Sequence, residues 1–221
     1  MRPLALFDLD NTLIDRLGAF KLWAAEFARD RSLGPGAVEW LIALDADGSL
    51  PMDVFFARVR ERFAQAESAD ELWRAYRARL PSLVSCPPAV LAGLDRLRAA
   101  GWAVGIATNG MADNQTGKIR RTGLDERVDG WAISGAEGVR KPEARLFEIA
   151  AERCGAGLAG GWMVGDDPVK DVAGGRGAGL RTIWIDRGMD AAPVPAADRV
   201  VGDVLAAVGV LMRMPEAGAG R

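Results

Sequence analysis

The sequence predicts an α/β fold: a parallel sheet covered by helices on both faces and interrupted, just after its first strand, by a helical insert. Three observations carry this. Leu4 to Asp8 is a short apolar run closed by polar residues, the pattern of a buried strand. From Arg16 to about Ser85 the apolar residues recur at helical spacing and no strand pattern occurs. From Ala89 onward, short apolar runs alternate with amphipathic stretches, which is the rhythm of a parallel sheet with crossover helices.

Within the insert, Leu17, Phe20, Ala24 and Phe27 mark a first helix, broken by Gly34-Pro35-Gly36. Val38 to Leu44 forms a second short helix, and Gly48 and Pro51 break the pattern again. Asp53 is placed to cap a third, with Phe55, Phe56, Val59 and Phe63 on one face. Ser68 and Glu71 have the spacing of a capping box ahead of Leu72, Trp73, Tyr76 and Leu80. Pro81, Pro87 and Pro88 mark the exit. Ala89 to Ala100 is then a helix stopped by Gly101, and Trp102 to Ala107 a strand. Asp113 to Arg121 is helical, Trp131 to Ser134 a strand and Glu143 to Arg153 a helix. Trp162 to Val164 is a strand, Asp171 to Gly179 a helix of small residues and Arg181 to Ile185 a strand. Arg199 to Val201 and a helix from Asp203 to Leu211 close the pattern, and Pro215 to Arg221 is expected to fray. The division is thus residues 1–15 with 86–221 as one domain and 16–85 as the insert.

Composition narrows the function. A chain of 221 residues with 49% hydrophobic and 26% charged residues can bury a sizeable core. Its net charge of −2 offers no general attraction to nucleic acid or an anionic membrane, so neither is expected as a partner. No apolar run approaches a membrane span and Met1-Arg2-Pro3 does not resemble a signal peptide, so a cytoplasmic protein is expected. Cys86 and Cys154 match no metal-binding or redox spacing and read as reduced thiols. The absence of histidine excludes Ser-His-Asp and Cys-His nucleophiles and His-ligated zinc.

Carboxylates remain, and their placement is unusual. The first strand ends in Asp8-Leu9-Asp10-Asn11-Thr12, the second in Thr108-Asn109-Gly110, and the strand at Trp162 in Gly165-Asp166-Asp167, with Asp171 soon after. In a parallel sheet these ends share one edge, so Asp8, Asp10, Asp166 and Asp171 converge. Two unit charges about 4 Å apart repel by about 4 kcal/mol at an effective dielectric near 20. A divalent cation removes the conflict, and an all-oxygen ligand set favours magnesium. Singly, Asp-x-Asp is a turn signal, Thr-Asn-Gly a turn, Asp166-Asp167-Pro168 a helix cap and Lys141-Pro142 a solvated lysine before a helix. Their joint order on an α/β rhythm points to a site.

The motifs resemble those of the haloacid dehalogenase superfamily. Asp8-Leu9-Asp10-Asn11-Thr12-Leu13 is similar to its first motif, Thr108-Asn109-Gly110 to its second, Lys141-Pro142 to its third and Gly165 to Val172 to its fourth. The resemblance runs from Leu4 to Ile185. It implies a Rossmann-like sheet with the first strand central, and an insert resembling the superfamily's small helical cap. It further implies a Mg²⁺-dependent phosphomonoester hydrolase of small phosphorylated metabolites. Asp8 is then the nucleophile, forming an aspartyl-phosphate, and Asp10 the acid and base. Asp8, the backbone carbonyl of Asp10, Asp166 and Asp171 hold the metal. Thr108, Asn109, Gly110 and Lys141 receive the phosphoryl group. Asp167 is open between a metal ligand and a capping or bracing role, with the latter preferred.

Alternatives within the fold are a haloacid dehalogenase, disfavoured by the presence of Asp10 and Asp166, and a phosphosugar mutase, disfavoured by the lack of a cap histidine. A phosphonate-cleaving relative would need Lys21, the one lysine of the insert, which reads as a surface residue. A non-catalytic binding protein of the same fold is disfavoured because Asp8, Asp10, Lys141 and Asp166 are all present. Trp23, Trp40 and Trp73 read as packing residues, and Gly174 to Gly179 as close helix–sheet packing rather than a phosphate loop. Phosphoglycolate, sugar phosphates and nucleotides are all open as substrates, and so is the oligomeric state.

Overall fold

In the computed structural model, residues 2–188 and 197–214 are described; the tail from Pro215 lies outside them. Six strands form one sheet: β1 (Leu4–Phe7), β2 (Ala103–Thr108), β3 (Gly130–Ile133), β4 (Trp162–Gly165), β5 (Arg181–Ile185) and β6 (Arg199–Val201). Their order is β3-β2-β1-β4-β5-β6, and every pairing is parallel. This is the expected α/β class with the first strand inside the sheet. β1 is buried at all four positions because helices cover both faces, which is why it reads as an unbroken apolar run. Its neighbours are β2 on one side and β4 on the other. The order of winding therefore reverses at β1, the place where sheets of this kind leave a crevice at their carboxyl ends.

The chain divides into two compact units, Met1–Ile14 with Cys86–Arg221, and Asp15–Ser85. The second unit contains α1 (Arg16–Asp30), α2 (Ala37–Asp45), α3 (Met52–Arg62) and α4 (Ala69–Arg79). Its core gathers Phe20, Trp23, Phe27, Phe55, Phe56 and Tyr76. Trp23 meets Tyr76 edge to face at 4.9 Å, a geometry that aromatic quadrupoles favour. Trp23 is buried, Trp40 stands edge-on to Phe63, and Arg77 lies over Trp73, so all three tryptophans pack as expected. Lys21 is exposed. The capping box of Ser68 and Glu71 is formed in both directions. Asp53 does not cap α3: Pro51 occupies the cap position, and Asp53 lies in the first turn, where its charge suits the positive end of the helix. The sequence reading also passed over two features. Asp15 caps α1 by accepting from the Gly18 N–H at 2.7 Å, and Arg16 forms a buried ion pair with Asp45.

In the first unit, α5 (Pro88–Ala99), α6 (Ala112–Arg121), the short α7 (Ser134–Glu137), α8 (Ala144–Arg153), α9 (Gly174–Gly177) and α10 (Val204–Met212) surround the sheet. α8 lays Leu146, Phe147 and Ala150 against Leu6, Ala107 and Ala132. The glycine-rich stretch packs as expected: a Cβ on Gly175 would stand 2.9 Å from the Cβ of Met163. The helix expected from Asp171 is wound differently. Pro168–Ala173 forms a wider, π-type turn that leads into α9. It starts early because Asp167 caps it, accepting from the Val169 and Lys170 N–H groups, and Pro168 takes the first position. Asp171 therefore lies inside the winding rather than at its start.

Candidate active site

The site grows from the ends of β1, β2 and β4. Asp8 follows β1 directly, and its N–H still donates to the Val164 carbonyl of β4 at 2.8 Å. The strand ladder thus fixes its backbone. The chain then turns sharply: Leu13 and Ile14 both donate to the Leu9 carbonyl, and Asn11 takes a left-handed conformation that Asn tolerates better than most residues.

Lys141 joins the motifs. Its Nζ lies 2.5 Å from Asp8 Oδ1 and 2.7 Å from Asp171 Oδ1, and all three side chains are buried. Asn109 holds the Lys141 peptide from both sides, accepting from its N–H at 2.9 Å and donating to its carbonyl at 3.0 Å. Asp171 Oδ2 accepts from the Asp167 N–H at 3.0 Å. Room for this carboxylate depends on Gly165, where a Cβ would fall 2.1 Å from Asp171 Oδ2.

One carboxylate oxygen from each of Asp8, Asp166 and Asp171 lies within 4.8 Å of the others. Asp166 also accepts from Arg187 at 3.1 Å. Burial, together with the neighbouring acids, raises Asp8 to about 7 in spite of Lys141. Burial and the charge of Asp8 likewise raise Asp166 to about 7 in spite of Arg187. Burial raises Asp171 as well. Lys141 is pushed above its ordinary value: burial opposes its charge, but Asp171 and Asp8 overcome that. The cluster is short of positive charge. Its donors are all oxygens, and hard divalent cations prefer such sets, so the residues fit Mg²⁺.

Asp10 and Asp167 stand apart from the three-carboxylate group. The Asp10 carboxylate turns toward α6, where it accepts from Lys118 Nζ at 2.8 and 2.9 Å and from Gln115 Nε2 at 2.9 Å. Asp167 pairs with Lys170 at 2.5 Å, and the hydrogen bonds from Lys170 hold it below the usual carboxylate range although burial opposes this. Thr108 is buried, and its Oγ1 accepts from Gln115 at 2.7 Å. The Gly110 N–H, expected to face a phosphoryl oxygen, donates instead to Ser134 Oγ at 3.0 Å. Likewise the Asn109 side chain is occupied with the Lys141 backbone.

Gln115, Lys118, Ser134 and Arg187 were not anticipated. A signal for two of them existed. α6 carries one large apolar residue, Ile119, so any face it buries must be largely polar. Asn114, Gln115 and Lys118 are indeed buried.

The carboxyl edge of the parallel sheet thus gathers three carboxylates, two of them paired with one lysine, in an α/β fold. A family model described as haloacid dehalogenase-like hydrolase matches residues 3–179. The chain belongs to this family. It is 37% identical over 155 residues to the phosphoserine phosphatase of Thermus thermophilus, a match covering 68% of this chain and 61% of that protein. The match thus spans about three fifths of that relative. The phosphoglycolate phosphatase of Agrobacterium fabrum is 27% identical over 88% of this chain and 84% of its own. Among solved structures, the HAD-hydrolase YfnB of Bacillus subtilis, bound to magnesium, superposes with a TM-score of 0.78. It is 19% identical and covers 96% of this chain and 99% of its own. Solved phosphatases and dehalogenases share the fold, so the fold alone does not choose between their chemistries. No helix among the described residues is long and apolar enough to cross a membrane.

Proposed function

We propose that this chain hydrolyses phosphomonoesters of small metabolites through an aspartyl-phosphate on Asp8, with Mg²⁺ as cofactor. The observation that carries the reading is Lys141, paired with both Asp8 and Asp171 beside Asp166. A carboxylate can attack phosphorus only if the negative charge of both partners is offset. Lys141 supplies one fixed positive charge and orients the attacking oxygen. Asp8, Asp166, Asp171 and the backbone carbonyl of Asp10 would hold Mg²⁺, which when bound neutralises further charge and polarises the phosphoryl oxygens. Thr108 offers a hydroxyl to the transferred group, and Asn109 acts by fixing Lys141.

Asp10 gives a proton to the leaving alkoxide as the bond from Asp8 to phosphorus forms. It then takes a proton from the water that releases phosphate and frees Asp8. A carboxylate at this position is what separates phosphoryl transfer from dehalogenation in this reading. The helical unit is assigned the role of cap, limiting substrates to small molecules. Hydrolysis of p-nitrophenyl phosphate with Mg²⁺ and with EDTA tests the proposal. Turnover that chelation abolishes and Mg²⁺ restores is expected. Turnover unchanged in EDTA overturns the metal assignment, and failure to release phosphate from p-nitrophenyl phosphate and a panel of phosphorylated metabolites overturns the activity.

A further inference from the structure

We infer that Lys118 and Gln115 are positioning residues that hold the Asp10 carboxylate in a fixed orientation at the edge of the sheet. The inference rests on the phosphomonoesterase reading above, in which Asp10 moves the proton.

Begin with α6. It starts four residues after Thr108, the last residue of β2, so its first two turns rise from the sheet edge. Gln115 and Lys118 are three residues apart and therefore share a face. That face is buried, and the side chain of Lys118 is only 3% exposed. Removing an ammonium group from water is costly, and a hydrophobic side chain would fill the space without that cost. Stability therefore does not account for a lysine here.

The contacts give a better account. Lys118 Nζ reaches both oxygens of Asp10, at 2.8 and 2.9 Å. Gln115 Nε2 reaches Asp10 Oδ2 at 2.9 Å, Thr108 Oγ1 at 2.7 Å and the Asn109 carbonyl at 3.3 Å. One amide thus ties the carboxylate to the end of β2, whose backbone is itself held between β1 and β3. Asp10 is fixed relative to the frame that also fixes Asp8. Lys141 anchors the carboxylate of Asp8, and Lys118 that of Asp10, two residues on.

Exposure separates the roles. The Asp10 side chain is 25% exposed, so it keeps a side open to a leaving group or to water. The Lys118 side chain is buried, so the open side of the pair belongs to Asp10. The part played by Lys118 is geometric: a cation beside a carboxylate favours the charged form and does not by itself improve a proton donor.

Leaving groups of different basicity test this. An alkyl phosphate such as glycerol phosphate departs as a strongly basic alkoxide and needs the Asp10 proton. The p-nitrophenolate ion is a weak base and departs without it. In kcat/KM, which covers the steps up to cleavage of that bond, Lys118→Met and Gln115→Leu are each expected to lose about 10- to 100-fold on the alkyl substrate, the scale of a small misplacement of a reacting group. On p-nitrophenyl phosphate Lys118→Met is expected to stay within about threefold of wild type, and Gln115→Leu, which also releases Thr108, to lose distinctly less than it loses on the alkyl substrate. Equal losses on both substrates, or none on either, overturn the inference. If Lys118→Met fails to fold, as judged by circular dichroism and melting, Gln115→Leu, which leaves the charges unchanged, gives the same reading alone. Wild-type phosphate release from p-nitrophenyl phosphate or any of the phosphorylated metabolites is the separate check on the parent reading, and its absence from all of them defeats both.

Discussion

Asn109 clasps the peptide of Lys141, accepting at 2.9 Å and donating at 3.0 Å, so the end of β2 sets where the central lysine of the site stands. Asn109→Leu removes both hydrogen bonds at little cost in volume. The expected result is a fall in kcat of about 10- to 100-fold with a smaller change in KM, because a reacting group is displaced rather than lost. Steady-state kinetics beside a melting curve will show it. Unchanged kcat would mean that Lys141 is positioned by its ion pairs alone.

Asp8→Asn is expected to abolish turnover while the protein stays folded. The variant also relieves crowding, since Asp8 stands among acids in a buried site. In the absence of metal it should therefore melt no lower than wild type. Residual turnover in a preparation free of contaminating phosphatase would remove Asp8 from the role of nucleophile.

The acidic cluster makes the metal-free protein sensitive to pH. Asp8 and Asp166 titrate at about 7 in the folded chain, against an ordinary value of 3.8, chiefly through burial. The folded state therefore holds protons that the unfolded state releases. Their stabilising contribution is complete below about pH 4 and is lost as the pH rises through about 7. In EDTA the melting temperature should fall between pH 5 and pH 8, and added Mg²⁺ should raise it more at pH 8 than at pH 5. Scanning fluorimetry across that range is sufficient, and a flat or rising profile in EDTA would contradict the assignment.

Gly165→Ala tests the room left for Asp171. The added carbon would fall 2.1 Å from Asp171 Oδ2, so the carboxylate must move. A loss of about 1–3 kcal/mol in stability is expected, as for other overpacked sites. The Mg²⁺ concentration needed for half-maximal activity should rise as well. A variant that melts like wild type and responds equally to Mg²⁺ would show that Asp171 has freedom to adjust.

Much of this arrangement was readable from the residues, for a definite reason. The strands are buried on both faces, so they appear as apolar runs ending abruptly in Asp8, Thr108 and Asp166, and a parallel sheet places such ends together. Asp171 followed from the same logic. Gln115 and Lys118 were not readable with equal ease, because a polar residue on a helix looks the same whether it faces water or a carboxylate that lies over a hundred positions earlier. The winding after β4 was misplaced because Asp167 looked ambiguous, although Asp followed by Pro is itself a strong helix start. Two contacts at the end of β2 were hidden for a similar reason: a turn sequence does not reveal that the Gly110 N–H meets Ser134 or that the Asn109 side chain holds the Lys141 peptide.

The position of β1 between β2 and β4 also bears on how the protein acquires its shape. Leu4 pairs with Ala103, and Ala5 with Trp162, so the middle of the sheet is assembled from segments remote in the chain. Closing loops of that length is entropically costly and slow, whereas the four helices of the insert close over much shorter spans. The insert should therefore order early in refolding, and β1 should find both partners late. Until then its bare apolar edges invite pairing with other chains, which makes dilute, cool refolding the favourable regime.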